Sequence, residues 1–167
     1  MRLTVFTDYA LRVMLVLASR TQELVTIADI SGAFGISEAH LMKVTHALGK
    51  TGWVATVRGR NGGMRLAADP RKLRLGVVVR QLEADFALVE CLGEDNHCVL
   101  TGQCGLEQAL LLARQAFFDV MQRYTLADLV DSSPALSALG LWQPVTWLST
   151  AAKPAAKAGG TRGRPAG

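Results

Sequence analysis

The chain has 167 residues, half of them hydrophobic, with 18 Lys and Arg against 14 Asp and Glu and a formal net charge of +4. No uncharged apolar run approaches the ~18 residues that a bilayer span requires, and Met1-Arg2-Leu3-Thr4 does not begin a secretion signal, so a soluble, cytoplasmic protein without a membrane role is expected. Lys153, Lys157, Arg162 and Arg164 account for the whole excess of charge, while residues 37–74 carry eight Lys and Arg against Glu38 and Asp69. Residues 75–149 carry three Arg against nine acids. Cations gathered in one segment suit contact with phosphates, which depends on local charge.

The first predicted element is a helix over residues 9–18, apolar on nearly every side, with Leu11, Met14, Leu15 and Ala18 at helical spacing and Asp8 in its first turn. Thr26-Ile27-Ala28-Asp29 resembles a capping box, opening a short helix that stops near Phe34-Gly35, where glycine suits a left-handed conformation. After a tight turn, Ser37 caps a helix over 38–50 whose stripe of Leu41, Val44 and Leu48 faces the earlier helices. Residues 53–57 and 64–67 are β-prone and flank Arg58-Gly59-Arg60-Asn61-Gly62-Gly63, where Asn61-Gly62 supplies the positive φ angles of a hairpin turn.

A short helix over 76–83 follows, and 85–105 shows no sustained period and is expected to be a loop. Leu106, Leu110, Ala113, Phe117, Val120 and Tyr124 then alternate steps of four and three, the spacing of a helix seam facing a second helix. Beyond Pro144 the Ala, Lys, Pro and Gly composition is expected to be disordered. The fold expected is mainly α: a winged helix-turn-helix with a long C-terminal dimerisation helix. Its parts are a DNA-binding domain (1–84), a cysteine loop (85–105), the dimerisation helix (106–130) and a flexible tail (131–167).

On the helix over 38–50, Ser37, His40 and Lys43 avoid the apolar stripe near the N-terminus, where polar side chains reach base edges in a major groove. Arg58, Arg60 and Arg65 surround a glycine-rich turn that also holds Asn61, a setting in which backbone and guanidinium groups approach phosphates or a minor groove. A solvated polar face would account for the helix alone, but hairpin folding asks for no arginines. The coincidence of the two favours double-stranded DNA as partner.

Three cysteines, Cys91, Cys98 and Cys104, fall within fourteen residues. An odd, clustered set in a reducing compartment points to metal or redox chemistry over a disulfide framework. The spacing lacks the Cys-x2-Cys pairs usual for structural zinc, and iron–sulfur cofactors take thiolate ligands, commonly four. From spacing alone, an iron–sulfur cluster, zinc and unligated thiols all stay open.

Phe6-Thr7-Asp8-Tyr9-Ala10-Leu11-Arg12, Val57-Arg58-Gly59-Arg60-Asn61-Gly62-Gly63 and the three cysteines, in that order, resemble the NsrR-type nitric-oxide-sensing repressors of the IscR-like winged-helix family. The similarity runs through residue 130, about three quarters of the chain. It implies an iron–sulfur cluster on Cys91, Cys98 and Cys104, completed by Asp8 of the partner subunit, with 4Fe–4S preferred to 2Fe–2S. It further implies a homodimer that represses from a palindromic operator and releases it when nitric oxide damages the cluster. Glu107 stands where the IscR branch places a histidine ligand, which counts against that branch. His97, beside Cys98, is a substitute ligand of second choice. The alternatives are a same-fold regulator of iron–sulfur supply or redox state, and a zinc-stabilised DNA-binding module. An electron carrier or thiol enzyme would not need the wing arginines, and no His/Asp pair or phosphate loop accompanies the cysteines, so no enzyme is expected.

Overall fold

The structure is a computed structural model that describes residues 2–138. The first helix, α1 (Val5–Ser19), begins before the apolar run because the Thr4 hydroxyl accepts the Thr7 N–H at 3.2 Å and caps it. Thr7, Ala10, Val13, Met14, Val16, Leu17 and Ala18 are buried, which makes α1 the centre of the core, while Leu11 and Leu15 of the expected stripe are half-buried.

In α2 (Ile27–Phe34) the capping box is present: Asp29 N–H donates to the Thr26 hydroxyl at 3.1 Å and Thr26 N–H donates to the Asp29 carboxylate at 2.8 Å. Gly35, at φ 65°, ends the helix in the left-handed region as expected. Ser37 then caps α3 (Glu38–Lys50), which buries Leu41, Val44, Thr45 and Leu48 against α1 and α2.

Strands β1 (Val54–Val57) and β2 (Gly63–Leu66) pair antiparallel, from Val54 opposite Leu66 to Val57 opposite Gly63. Met64 also exchanges hydrogen bonds of 2.8 and 2.9 Å with Val25, so the chain before α2 fastens the hairpin to the helices. The hairpin turn differs from the Asn61-Gly62 expectation. Residues 58–62 form the loop, Gly62 N–H donates to the Gly59 carbonyl at 2.9 Å, and the positive φ of 114° falls at Gly59. Asn61 is not in the left-handed region. Gly62 is needed for a steric reason instead, because a Cβ there would collide with the Val57 carbonyl oxygen.

The second half comprises α4 (Leu75–Leu82), a 3-10 turn (Glu90–Leu92), α5 (Gly105–Arg123), α6 (Leu126–Asp131) and α7 (Pro134–Ala138). Residues 106–130, expected as one dimerisation helix, are broken at Tyr124-Thr125. There Thr125 and Asp128 form a second capping box, and the Leu75 N–H to Tyr124 carbonyl bond, 3.0 Å, ties the break to the start of α4. Gly76 lets α5 come close, since a Cβ would meet the Gln122 side-chain oxygen. Leu126 is fully buried and α6 packs on α1. Helix α7 lies inside 131–167, the segment expected to be flexible. The chain beyond Pro144 lies outside the described residues. Among the described residues no helix is long and apolar enough to cross a membrane.

Candidate functional site

The candidate residues fall in two sets, one on α3 and the hairpin, the other on the loop before α5. On α3 the buried stripe turns Glu38, Ala39, His40, Met42, Lys43, His46 and Lys50 to solvent. The Ser37 hydroxyl accepts the His40 N–H at 3.4 Å and lies 2.9 Å from His40 Nδ1, so the cap also orients the imidazole. The other side of that ring meets Tyr9 of α1, with ring centroids 6.1 Å apart. Arg58, Arg60 and Asn61 are exposed on the hairpin loop, and Arg65 is exposed on β2. Arg74, counted among the local cations, instead binds α4 to α5, its guanidinium donating to the Gln122 carbonyl at 2.9 Å.

The three cysteines are free thiols, each half-buried, on the loop that precedes α5. Cys104 is the N-cap residue of α5, in extended backbone at the end of the loop. Asn96 holds the loop together. Its amide donates to Thr101 Oγ1 at 2.9 Å and to the Cys91 carbonyl at 3.5 Å, and its side-chain oxygen accepts the Cys98 N–H at 2.9 Å. The Thr101 hydroxyl donates to the Cys98 carbonyl at 2.8 Å, and Gly102, at φ 80°, makes the turn. Partial burial pushes the Cys91 thiol up; Cys98 and Glu107, then Cys104, add repulsion between negative charges, against an opposing backbone hydrogen bond.

Glu107 accepts the Gly102 N–H at 2.7 Å, tying the loop to the first turn of α5. His97 is turned to solvent, with its Nδ1 3.3 Å from the Asp95 carbonyl and its N–H donating to Glu90 at 3.1 Å. The three sulfurs do not converge: among the described residues no group of three His, Cys, Asp or Glu is gathered closely enough to hold a metal ion. The donor set nevertheless fits an iron–sulfur group in its chemistry, being three free, half-buried thiols on one loop.

Asp8 lies on α1, half exposed, and is paired within the same chain with Arg12, whose Nε and terminal nitrogen approach it at 3.1 and 2.9 Å. The guanidinium also lies 5.6 Å from the Phe34 ring centroid. The N-terminus of α1 is fixed by Glu83, a buried carboxylate that accepts the Thr4 N–H at 2.7 Å and the Thr4 hydroxyl at 3.1 Å. Sequence reasoning missed Glu83, Asn96 and the Tyr9–His40 contact. It also missed the Asp8–Arg12 pair and the Glu107–Gly102 hydrogen bond, for which the i to i+4 spacing of Asp8 and Arg12 and the place of Glu107 in the first turn of α5 were local signals.

Residues 3–132 match the Rrf2 family, described as iron-dependent transcriptional regulators. The chain is 51% identical over 132 residues to the HTH-type transcriptional regulator NsrR of Bacillus licheniformis, covering 78% of this chain and 92% of that protein. Among solved structures, IscR of T. potens superposes with a TM-score of 0.65 at 25% identity, covering 81% of this chain and 90% of that one. CymR, the global cysteine regulator of B. subtilis, gives 0.67 at 25% identity, covering 80% and 98%. The winged-helix reading of the fold is thereby borne out, and the chain belongs to the Rrf2 family of transcriptional regulators.

Proposed function

We propose that the chain is a homodimeric repressor that binds a palindromic DNA operator through α3 and the hairpin and senses nitric oxide at an iron–sulfur group held by Cys91, Cys98 and Cys104. The observation that carries this reading is the trio of free, half-buried thiols on a loop hydrogen-bonded into shape, in the same chain as an exposed cationic helix and wing. The similarity to NsrR supports the choice of signal. When bound, the group supplies iron that reacts with nitric oxide.

The chain's own residues do the rest. The three thiolates would hold the group by drawing together from their present positions, with Asp8 of the partner subunit as the fourth ligand. To serve, that carboxylate has to share or leave its Arg12 pair. Asp8 precedes Tyr9, whose ring touches His40, so a shift in the first turns of α1 reaches α3 directly. Dimerisation is supported by α5, of whose 19 residues only Phe118 is buried, while Leu106, Leu112 and Val120 are 62%, 71% and 48% exposed. The expected seam divides: Leu110 and Phe117 turn toward their own chain, half-buried, whereas Leu106, Ala113, Val120 and Tyr124 remain for a partner. Two α3 helices would then enter major grooves ~34 Å apart or a multiple of that.

The test is anaerobic. Protein purified without air should absorb visible light, each cysteine-to-serine variant should lose that absorption, and operator binding should fall on adding nitric oxide. A colourless, zinc-containing protein, or binding that survives nitric oxide, overturns the proposal. If chelation of iron releases the operator but nitric oxide does not, the signal is iron–sulfur supply.

A further inference from the structure

Most of the outward face of α3 is what a phosphate-facing or solvated surface requires: Glu38, His40, Lys43, His46 and Lys50. Met42 is the exception. It is 54% exposed, although the helix is anchored by Leu41, Val44, Thr45 and Leu48 on its other side. An exposed methionine adds little to folding, and it sits one turn beyond exposed Ala39, so the two form a small apolar patch at i and i+3. Lys43 and His46 border the patch on the same helix, and the same half of the chain exposes Arg58, Arg60 and Arg65 on the wing.

A cationic surface with an apolar centre calls for a polyanion that presents an apolar group. Duplex DNA does so at one place in the major groove, the 5-methyl group of thymine. We propose that Met42, with Ala39 beside it, reads thymine by packing against that methyl and so helps determine which operator the protein selects. The unbranched thioether of methionine adapts to such a contact without a fixed rotamer. The lysine and arginines contribute affinity for any sequence, whereas Met42 distinguishes thymine from cytosine at one position of each half-site. This inference rests on the proposed placement of α3 in the groove.

The experiment selects duplexes from a random pool with protein purified without air. Each thymine of the selected site is then replaced singly by deoxyuridine, which removes the methyl and leaves the hydrogen-bonding edge intact. For the wild type, one such replacement per half-site should weaken binding about fourfold, the effect of withdrawing one methyl from apolar contact. In Met42→Ala that thymine-over-uracil ratio should collapse toward unity, and Met42→Leu should keep most of it. A selected site indifferent to every methyl, or an unchanged ratio in Met42→Ala, overturns the role of Met42 while leaving the DNA-binding reading intact. Failure of the wild type to enrich any duplex overturns both.

Discussion

The Tyr9 ring on α1 and the His40 ring on α3 lie 6.1 Å apart, centroid to centroid, and are tilted by 47°. Tyr9 follows Asp8, and His40 sits in the first turn of the helix proposed to enter the groove, so this pair joins the helix that carries Asp8 to that helix. An aromatic contact of this kind is worth about 1 kcal/mol, or a factor of about five. Tyr9→Ala should therefore reduce the ratio of operator affinities before and after nitric oxide by about fivefold, and Tyr9→Phe should preserve it. Anisotropy titrations under nitrogen would measure both ratios; an undiminished ratio in Tyr9→Ala excludes the pair as the link.

Arg58 and Arg60 are exposed on the hairpin loop, and each is expected to neutralise one phosphate. Changing either to Ala should weaken binding to all sequences and lower the slope of log affinity against log salt by about one unit. A salt titration with specific and unrelated duplexes checks both parts.

Gly62 faces the Val57 carbonyl oxygen where a side chain would sit. Gly62→Ala forces the loop to open, at a cost of about 1–3 kcal/mol. Thermal melting should show a modest loss, because β1 and β2 stay tied to Trp53 and Val25, whereas DNA affinity should drop more steeply through the displaced Arg58 and Arg60. Equal loss in both measurements would mean that the wing does not contact DNA.

Asp128 accepts the Thr125 N–H and hydroxyl, both at 2.7 Å, and these hydrogen bonds hold its carboxyl below the ordinary value, with Arg74 assisting and partial desolvation opposing. A depressed carboxyl contributes stability above its unfolded value, about 3.9, and loses it as pH falls through the lower folded value. The melting temperature of the wild type should exceed that of Asp128→Asn by a constant margin from about pH 5 to 8, and the margin should shrink below about pH 4. A margin that grows on acidification contradicts the assignment.

Features governed by neighbouring residues were legible in the sequence. Thr26 with Asp29 and Ser37 before Glu38 placed α2 and α3, because caps act within three residues. That Cys91, Cys98 and Cys104 share one loop was legible from their nearness in sequence, whereas the positions of their sulfurs in space were not. The hairpin turn was not, since which glycine takes positive φ depends on the register of β1 against β2, and that is set in part by the Met64–Val25 pairing. Asn96 was invisible for another reason: an exposed loop holds several side chains able to make its hydrogen bonds, and only the path of the chain selects one. The seam on α5 was half legible, as the pattern identified an apolar helix without showing that Phe117 and Phe118 would join Phe86 and Arg80 on its own chain.

The carboxylate of Glu83 reaches back 79 residues to the start of α1, and Leu126 is buried in the core to which α1 belongs. The reading head is thus finished by pieces from distant parts of the chain. Cutting the gene after α4 would strip Leu126 and wet the flank of α1, and ending it before residue 83 would also let the first turn fray. A minimal fragment that still grips DNA has to extend past the cysteines into α6, so the part that reads cannot be separated from the part that listens.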